Sequence, residues 1–434
     1  MTWPLDSYFR YKSHRPPKAL SESPSRLLSM SNIQYSTISP VLPYDVIVLI
    51  IDIVGENKDT KLLRELALVS HSFHQICSKH LFATVDLHDS RWDSCASSKK
   101  RFVELVKSRP NVVNYIRKLT YKATRKSINN GEDHLLSPIL SNFHQTISHL
   151  NCLAIDASYL SWNTLDSSLT SAFLHLMSLP TINHIDLSRI GKFPLSSLTS
   201  SVNLLRLDMS YVVPFDYHGE DNLFKTVQSE LMPKIREFHT SGSHLLTKWL
   251  DTEGQDGQPV FNFMDLRQLS MSFIDLADDR SIKCLLQNAK LLERLHLSVD
   301  SDRNLVGVLS TSTPTLKVLD LTVSLYCYGH PPLAGLCEEL KVMAGHNTLE
   351  SLSFEVSVDA GSTLDFIGST IQKVANVLVK PGWSALRQVS IKLPVRSREE
   401  SAEVSEALQS LPDRYLSHLL KLESVAFNYS AYPA

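Results

Sequence analysis

One short apolar template recurs between residues 116 and 427 and limits the folds that this chain can adopt. Each copy has an apolar residue, a second one three positions later, and a third two positions after that. About eleven copies are found, spaced by about 22 to 37 residues, and one of them ends in a polar residue. They are Ile116/Leu119/Tyr121, Leu150/Leu153/Ile155, Ile182/Ile185/Leu187, Leu204/Leu207/Met209, Ile235/Phe238/Thr240, Leu266/Leu269/Met271, Leu292/Leu295/Leu297, Leu316/Leu319/Leu321, Leu349/Leu352/Phe354, Leu386/Val389/Ile391 and Leu422/Val425/Phe427.

The template predicts a β-strand in every copy. Successive side chains of a strand point to opposite faces, so the last two apolar residues share one face and their neighbours share the other. Helical periodicity fills segments between copies, for example 134–150, 281–292 and 363–379. Strand and helix alternating in this way predict an α/β fold with a parallel sheet. The residues Thr84–Leu87 are a further candidate strand, which would begin the sheet.

The spacing and the apolar pattern resemble leucine-rich repeats, whose units of similar length stack into a curved solenoid. This resemblance implies parallel strands on the inside and helices on the outside over residues 83–434. The asparagine that such repeats carry shortly after the strand is missing, so we expect an irregular solenoid.

A second feature is the segment 41–82, which is rich in large apolar residues and poor in turn residues. Nearly every position from Asp45 to Val54 is apolar. A helix without a polar face needs partners on several sides. The segment therefore predicts a short all-α module that is completed by the rest of the chain, by another protein, or by both.

The module begins with Leu42 and Pro43, and the acidic Asp45 follows two positions later. In the type and order of these residues it resembles the F-box, which starts with Leu-Pro and an acidic position and binds a Skp-type adaptor in cullin-based ubiquitin ligases. The resemblance implies adaptor contacts by Leu42, Pro43, Asp45, Val46, Ile50, Leu66, Val69 and Phe73. Ser70 and Phe73 replace the usual Cys and Trp, and a polar run at 55–60 lengthens the first loop.

Composition and charge narrow the classes of partner. A net charge of −2 argues against a nucleic-acid surface, and no apolar run is long enough for a membrane span. Six scattered cysteines without a CxxC pair fit a reducing compartment, so we expect a cytoplasmic or nuclear protein. The Ser/Pro/basic-rich residues 1–40 predict a disordered leader, with a transit peptide as the alternative.

The open strand face supplies the candidate target-binding residues. The middle residue of each copy falls in one column, which contains Asp186, Asp208, His239, His296 and Asp320 and continues to Ala426. Strands about 4.8 Å apart would align these side chains into a polar, mildly acidic strip. The strip is interpreted as a recognition surface for a protein segment, or else as a solvated strand face without a ligand.

No catalytic motif or metal-ligand set stands out. His71, His74, Cys77 and His80 are spaced by three, which spreads them around a helix instead of converging them on one ion. We therefore expect no enzyme activity, no metal and no cofactor. An enzyme that uses His239 or His296 beside Asp208 or Asp320 is the alternative.

Together these features predict a substrate-recognition subunit of a Skp-cullin-F-box ubiquitin ligase. The helical module would bind the Skp-type adaptor and through it a cullin, and the repeats would hold an unknown target protein. The alternative is a leucine-rich-repeat scaffold that acts outside any ubiquitin ligase, with segment 41–82 as a cap on the first repeat.

Overall fold

A computed structural model describes most of the chain after residue 41. The described residues are 42–88, 98–125, 128, 131–213, 233–242, 261–272, 278–300, 305–309, 314–324, 335–359, 364–396, 402–420, 422 and 424–433. The predicted leader at 1–40 lies outside them.

Three short helices open the described part of the chain: α1 (Tyr44–Glu56), α2 (Thr60–Ala67) and α3 (His71–Leu81). Asp59 caps α2 by accepting a hydrogen bond from the Leu62 amide at 3.0 Å, and Ser70 caps α3 by accepting one from the Phe73 amide at 3.3 Å. The helices enclose a small core, separate from the main one, made of Ile51, Leu63, Ala67, Ile76, Cys77 and Leu81.

The described residues then form a parallel sheet of 12 strands in sequential order. The α/β fold with parallel strands is thereby confirmed. The strands are β1 (Thr84–Leu87), β2 (Lys118–Lys122), β3 (Cys152–Ser161), β4 (His184–Gly191), β5 (Arg206–Ser210), β6 (Glu237–Ser241), β7 (Gln268–Ser272), β8 (Arg294–Asp300), β9 (Val318–Ser324), β10 (Ser351–Asp359), β11 (Gln388–Arg396) and β12 (Ala426–Pro433). The predicted strand Thr84–Leu87 is confirmed as β1, because it pairs in parallel with β2.

Helices lie between many of the strands and cover one face of the sheet. They are α4 (Ser98–Ser108), α5 (Glu132–Thr146), α6 (Ser167–Met177), α7 (Asp278–Asn288), α8 (Leu336–Met343), α9 (Leu364–Leu378) and α10 (Ala402–Tyr415), with 3-10 helices at Pro110–Tyr115, Trp162–Thr164 and Leu195–Ser200. The helices predicted in 134–150, 281–292 and 363–379 correspond to α5, α7 and α9. No helix within the described ranges is long and apolar enough to cross a membrane.

The strand template explains where the main core lies. Its apolar residues, such as Leu119, Leu153 and Ile185, are fully buried, while the residues between them are half-buried on the other face. Helix residues including Phe143 and Phe173 belong to the same core cluster. The face without this helix packing is called the open face below.

The register of the last strand differs from the prediction. Asn428, and not Ala426, lies opposite Ser390 of β11, and Phe427 lies opposite Val389. The predicted register of this copy is wrong by two residues. A pattern of period two cannot distinguish such a shift, because it returns every side chain to the same face.

Candidate functional site

The first candidate site is an apolar surface on the N-terminal helices, called the docking surface. It consists of Leu42, Tyr44, Val46, Leu49, Ile50, Ile53, Leu68 and Val69, each at least 37% exposed. Val46, Leu49, Ile50 and Ile53 share one face of α1 at helical spacing, Tyr44 is the first residue of α1, and Leu68 and Val69 lie between α2 and α3. Only Ile51 of α1 is buried in the small core. The chain therefore covers one side of an otherwise apolar helix and leaves another side exposed.

The predicted adaptor-binding residues divide into two groups. Leu42, Pro43, Asp45, Val46, Ile50 and Val69 are exposed, while Leu66 and Phe73 are half-buried against the small core. Tyr44, Leu49, Ile53 and Leu68 of the docking surface were not among the predicted residues. Helical periodicity counted from Val46 would have identified Leu49 and Ile53.

A close contact fixes α1 against α3. His80 Nε2 lies 2.7 Å from Asp52 Oδ1, and Gly55 lies so close to the His80 ring that an added Cβ would stand 2.2 Å from it. His74 lies instead 3.4 Å from the Ser78 hydroxyl. These two histidines of the His71/His74/Cys77/His80 series therefore have separate structural partners.

The second candidate site is the open face of the sheet. Asp186, Asp208 and His239 are in register on β4, β5 and β6, and His296 and Asp320 are in register on β8 and β9. All five are half-buried on that face. The structure therefore brings the predicted strip residues into one row across neighbouring strands.

A polar cluster surrounds Asp208 within this row. Its Oδ2 atom lies 2.9 Å from His184 Nε2, and Arg206 donates to the same carboxylate at 3.0–3.2 Å. His184 Nδ1 lies 3.3 Å from Cys152 Sγ. Arg206 also donates to Glu237 Oε2 at 3.2 Å. The cluster therefore joins four neighbouring strands, β3 to β6.

The surroundings of these groups determine their protonation. Burial lowers the pKa of His184, but hydrogen bonds to Asp208 and Cys152 outweigh it and raise that pKa to about 9. Burial raises the pKa of Asp208, but the hydrogen bonds from His184 and Arg206 lower it below its usual value. Burial raises the pKa of Asp186, and the nearby charge of Asp208 raises it further. The cluster thus combines positive and negative groups, and the strip is not simply acidic.

His239 does not form the predicted contact with Asp208. Its Nε2 atom is 3.9 Å from Asp208 Oδ1 and has no hydrogen-bond partner, and burial lowers its pKa. The histidine that contacts Asp208 is His184, which lies on β4 two residues before the strip residue Asp186. This residue was missed from the sequence because only the middle position of each copy and the position two residues after it were considered, but not the position two residues before it.

We expect His184 to make stability depend on pH. Its pKa of about 9 in the folded chain exceeds the usual histidine pKa of 6.5, so the stabilisation is complete below pH 6.5 and is lost as pH rises through 9. His184 is partly exposed, so the expected contribution is about 1–2 kcal/mol. The measurement is urea unfolding of wild type and His184→Gln between pH 6 and pH 10.

The two proteins should differ most at pH 6 and converge towards pH 10. His296→Gln, on the same face but outside this cluster, is the matched control and should remain parallel to wild type. A difference between wild type and His184→Gln that does not change with pH would contradict this account.

The fold and the open face together define an α/β protein of stacked, parallel strand-and-helix units with a separate helical module at its start. No protein-family model matches the chain, and no curated protein matches it significantly.

Proposed function

We propose that this chain is a target-recognition subunit of a Skp-cullin-F-box ubiquitin ligase. In this proposal α1–α3 form an F-box-like module that binds a Skp-type adaptor, and through it a cullin. The leucine-rich-repeat-like sheet holds a target protein. The chain itself then needs neither a catalytic group nor a cofactor. The observation that carries the proposal is the docking surface, where eight large apolar side chains are exposed on a module of about forty residues.

Energetics support a protein partner at this surface. The eight side chains are 37–70% exposed, so they offer the apolar surface of about four fully exposed ones. Burying it would contribute about 6–13 kcal/mol at about 1.5–3 kcal/mol for each fully exposed side chain. Association costs about 4–15 kcal/mol in lost freedom, so such an interface can be stable. Large exposed apolar patches are uncommon on monomeric proteins and usually mark interaction sites. The docking surface therefore favours a permanent or frequent partner.

The connection between the module and the sheet also supports the proposal. The Ala83 carbonyl, two residues after α3, accepts hydrogen bonds from the amides of Arg117 and Lys118, both at 2.9 Å. Residue 118 begins β2, so no long linker separates the module from the sheet. A ligase subunit needs such a short connection because a bound target must be held at a defined position relative to the adaptor.

The direct test is co-elution of the purified chain with a Skp-type adaptor in size-exclusion chromatography. We expect a complex with equal amounts of both proteins. Pro43→Ala combined with Val69→Ala should abolish it, while circular dichroism remains that of wild type, because both residues are exposed.

Two results would contradict the proposal: no complex with the wild-type chain, or an unchanged complex with the folded double variant. Either would favour the alternative of a protein-binding scaffold outside any ligase. The contact of α3 with the 3-10 helix at Pro110–Tyr115 fits that alternative, because the module then caps the first repeat.

A further inference from the structure

An aromatic and cationic cluster lies where β3, β4 and β5 end. We call it the edge cluster and define it by Tyr159, Arg189, Lys192, Tyr211 and Val213. The rings of Tyr159 and Tyr211 meet edge to face with their centroids 6.1 Å apart, and Arg189 Cζ lies 5.9 Å from the centre of the Tyr159 ring. In open α/β sheets, ligands bind beyond the carboxyl ends of the strands.

The aromatic residues of this cluster are exposed. Tyr159 is 68% exposed and Tyr211 is 47% exposed, and Val213 beside them is also exposed. Tyr and Arg are the residue types that most often dominate the binding energy of protein interfaces. The composition and the exposure of the cluster are therefore those of a recognition surface.

The backbone beneath these side chains is strained. Ser188, Ser210 and Ser241 are in register, so Arg189, Tyr211 and Gly242 occupy equivalent positions near the carboxyl ends of three neighbouring strands. Their φ angles are 53°, 53° and 62°, in the left-handed region that favours glycine.

Only one of these three equivalent positions, residue 242, is a glycine. Arg189 and Tyr211 keep large side chains in a conformation that disfavours a Cβ atom, and Tyr159 does the same with a φ of 68°. The Tyr211 ring lies so close to Gly242 that an added Cβ would stand 2.4 Å from it. Backbone strain of this kind clusters at functional sites, because folding alone would favour glycine there.

The charges of this edge identify the partner chemistry. The described residues at the carboxyl ends of β2 to β5 and in the turns after them include the cations Lys122, Arg125, Arg189 and Lys192. The carboxylate of Asp156 is largely covered: Arg189 donates to it through Nε at 3.1 Å and through Nη2, and Lys122 Nζ lies 3.7 Å from it. The accessible charge is therefore mainly positive.

We propose that the edge cluster binds an extended acidic segment of the target protein. Acidic side chains of the segment pair with Arg189 and Lys192, and an apolar or proline side chain packs on the rings of Tyr159 and Tyr211. This inference rests on the proposed function, which requires a target, and it places the main contact at the strand ends instead of the middle of the open face.

The test is a selection from a random twelve-residue peptide display library on the purified full-length chain. Synthetic versions of the enriched peptides are then measured by fluorescence anisotropy. We expect an excess of Asp and Glu together with apolar residues or proline. Arg189→Gly and Tyr211→Gly should each weaken binding at least about tenfold.

Tyr211→Gly also has a readout that a purely structural role would not give. Since glycine relieves the strain there and no ion pair is removed, its melting temperature should equal or exceed that of wild type while binding is lost. Arg189→Gly also removes the ion pair with the largely buried Asp156, so its melting temperature is expected to fall. Tyr432→Ala, at a similarly exposed tyrosine in β12, is the matched control and should bind normally.

Several results would overturn the inference. They are an absence of enriched peptides, enriched peptides without an acidic excess, wild-type binding by both glycine variants, and tighter binding of vesicles rich in phosphatidylserine or of single-stranded RNA. Adaptor co-elution of the same variants separates this inference from the proposed function. Loss of peptide binding with retained adaptor binding supports both, and an intact peptide site without any adaptor complex contradicts only the ligase assignment.

Discussion

A full-length chain that carries Leu49→Asp or Val69→Asp is expected to bind a Skp-type adaptor at least about 100-fold more weakly than wild type. Each change places a charge inside an apolar interface that offers it no partner, and a desolvated unpaired charge is costly. Leu49 is 59% exposed and Val69 is 66% exposed, so neither side chain is needed to complete the small core. Isothermal titration calorimetry with the purified adaptor measures the loss.

The control for these variants makes the same chemical change elsewhere. Val342 on α8 is 61% exposed, and Val342→Asp should bind the adaptor with wild-type affinity. A variant at Ile51 would not serve, because this residue is buried in the small core and its loss would unfold the module. Wild-type affinity of both aspartate variants would exclude the docking surface as the adaptor interface.

The sequence predicted the repeating part of the fold because burial leaves a regular pattern there. The apolar residues of the template lie in the core, and β1 pairs where the short candidate strand was expected. The register of β12 was not predicted correctly, because Phe427 and Tyr429 satisfy the same alternation as the expected pair Val425 and Phe427.

The candidate sites were less predictable than the fold. The contact between His184 and Asp208 joins the first residue of β4 to the third residue of β5, a diagonal neighbour. Identifying it requires the exact strand ends. The edge cluster depends on positive φ angles at Tyr159, Arg189 and Tyr211, which leave no periodic signal in the sequence. The docking surface was easier to predict, because helical spacing alone determines which α1 residues share a face.

Lys99 and Asp133 form a buried ion pair between α4 and α5. Lys99 of α4 is 0% exposed, and its Nζ lies 2.7 Å from Asp133 Oδ1 at the start of α5. The same ammonium lies 4.6 Å from the centre of the Tyr121 ring. The pair therefore joins two neighbouring helices within the main core, beside a strand residue that belongs to that core.

Breaking this pair from one side should destabilise the protein strongly. Asp133→Leu leaves the Lys99 ammonium buried without its carboxylate, and Lys99→Met leaves the carboxylate without its cation. Each is expected to lower the free energy of unfolding by about 3–5 kcal/mol. Urea unfolding followed by circular dichroism measures the change.

The double variant Lys99→Met/Asp133→Leu decides whether the charges or the packing carry this effect. It removes both charges and replaces them with apolar side chains, so we expect it to be more stable than either single variant, with a coupling energy of about 2 kcal/mol or more. The exposed pair of Lys317 and Glu293, whose side chains are 47% and 40% exposed with an Nζ–Oε2 distance of 3.6 Å, is the matched control. Lys317→Met should cost only about 0–1 kcal/mol, because solvent screens an exposed charge. Additive losses in the Lys99 and Asp133 cycle would show instead that the two side chains act through packing alone.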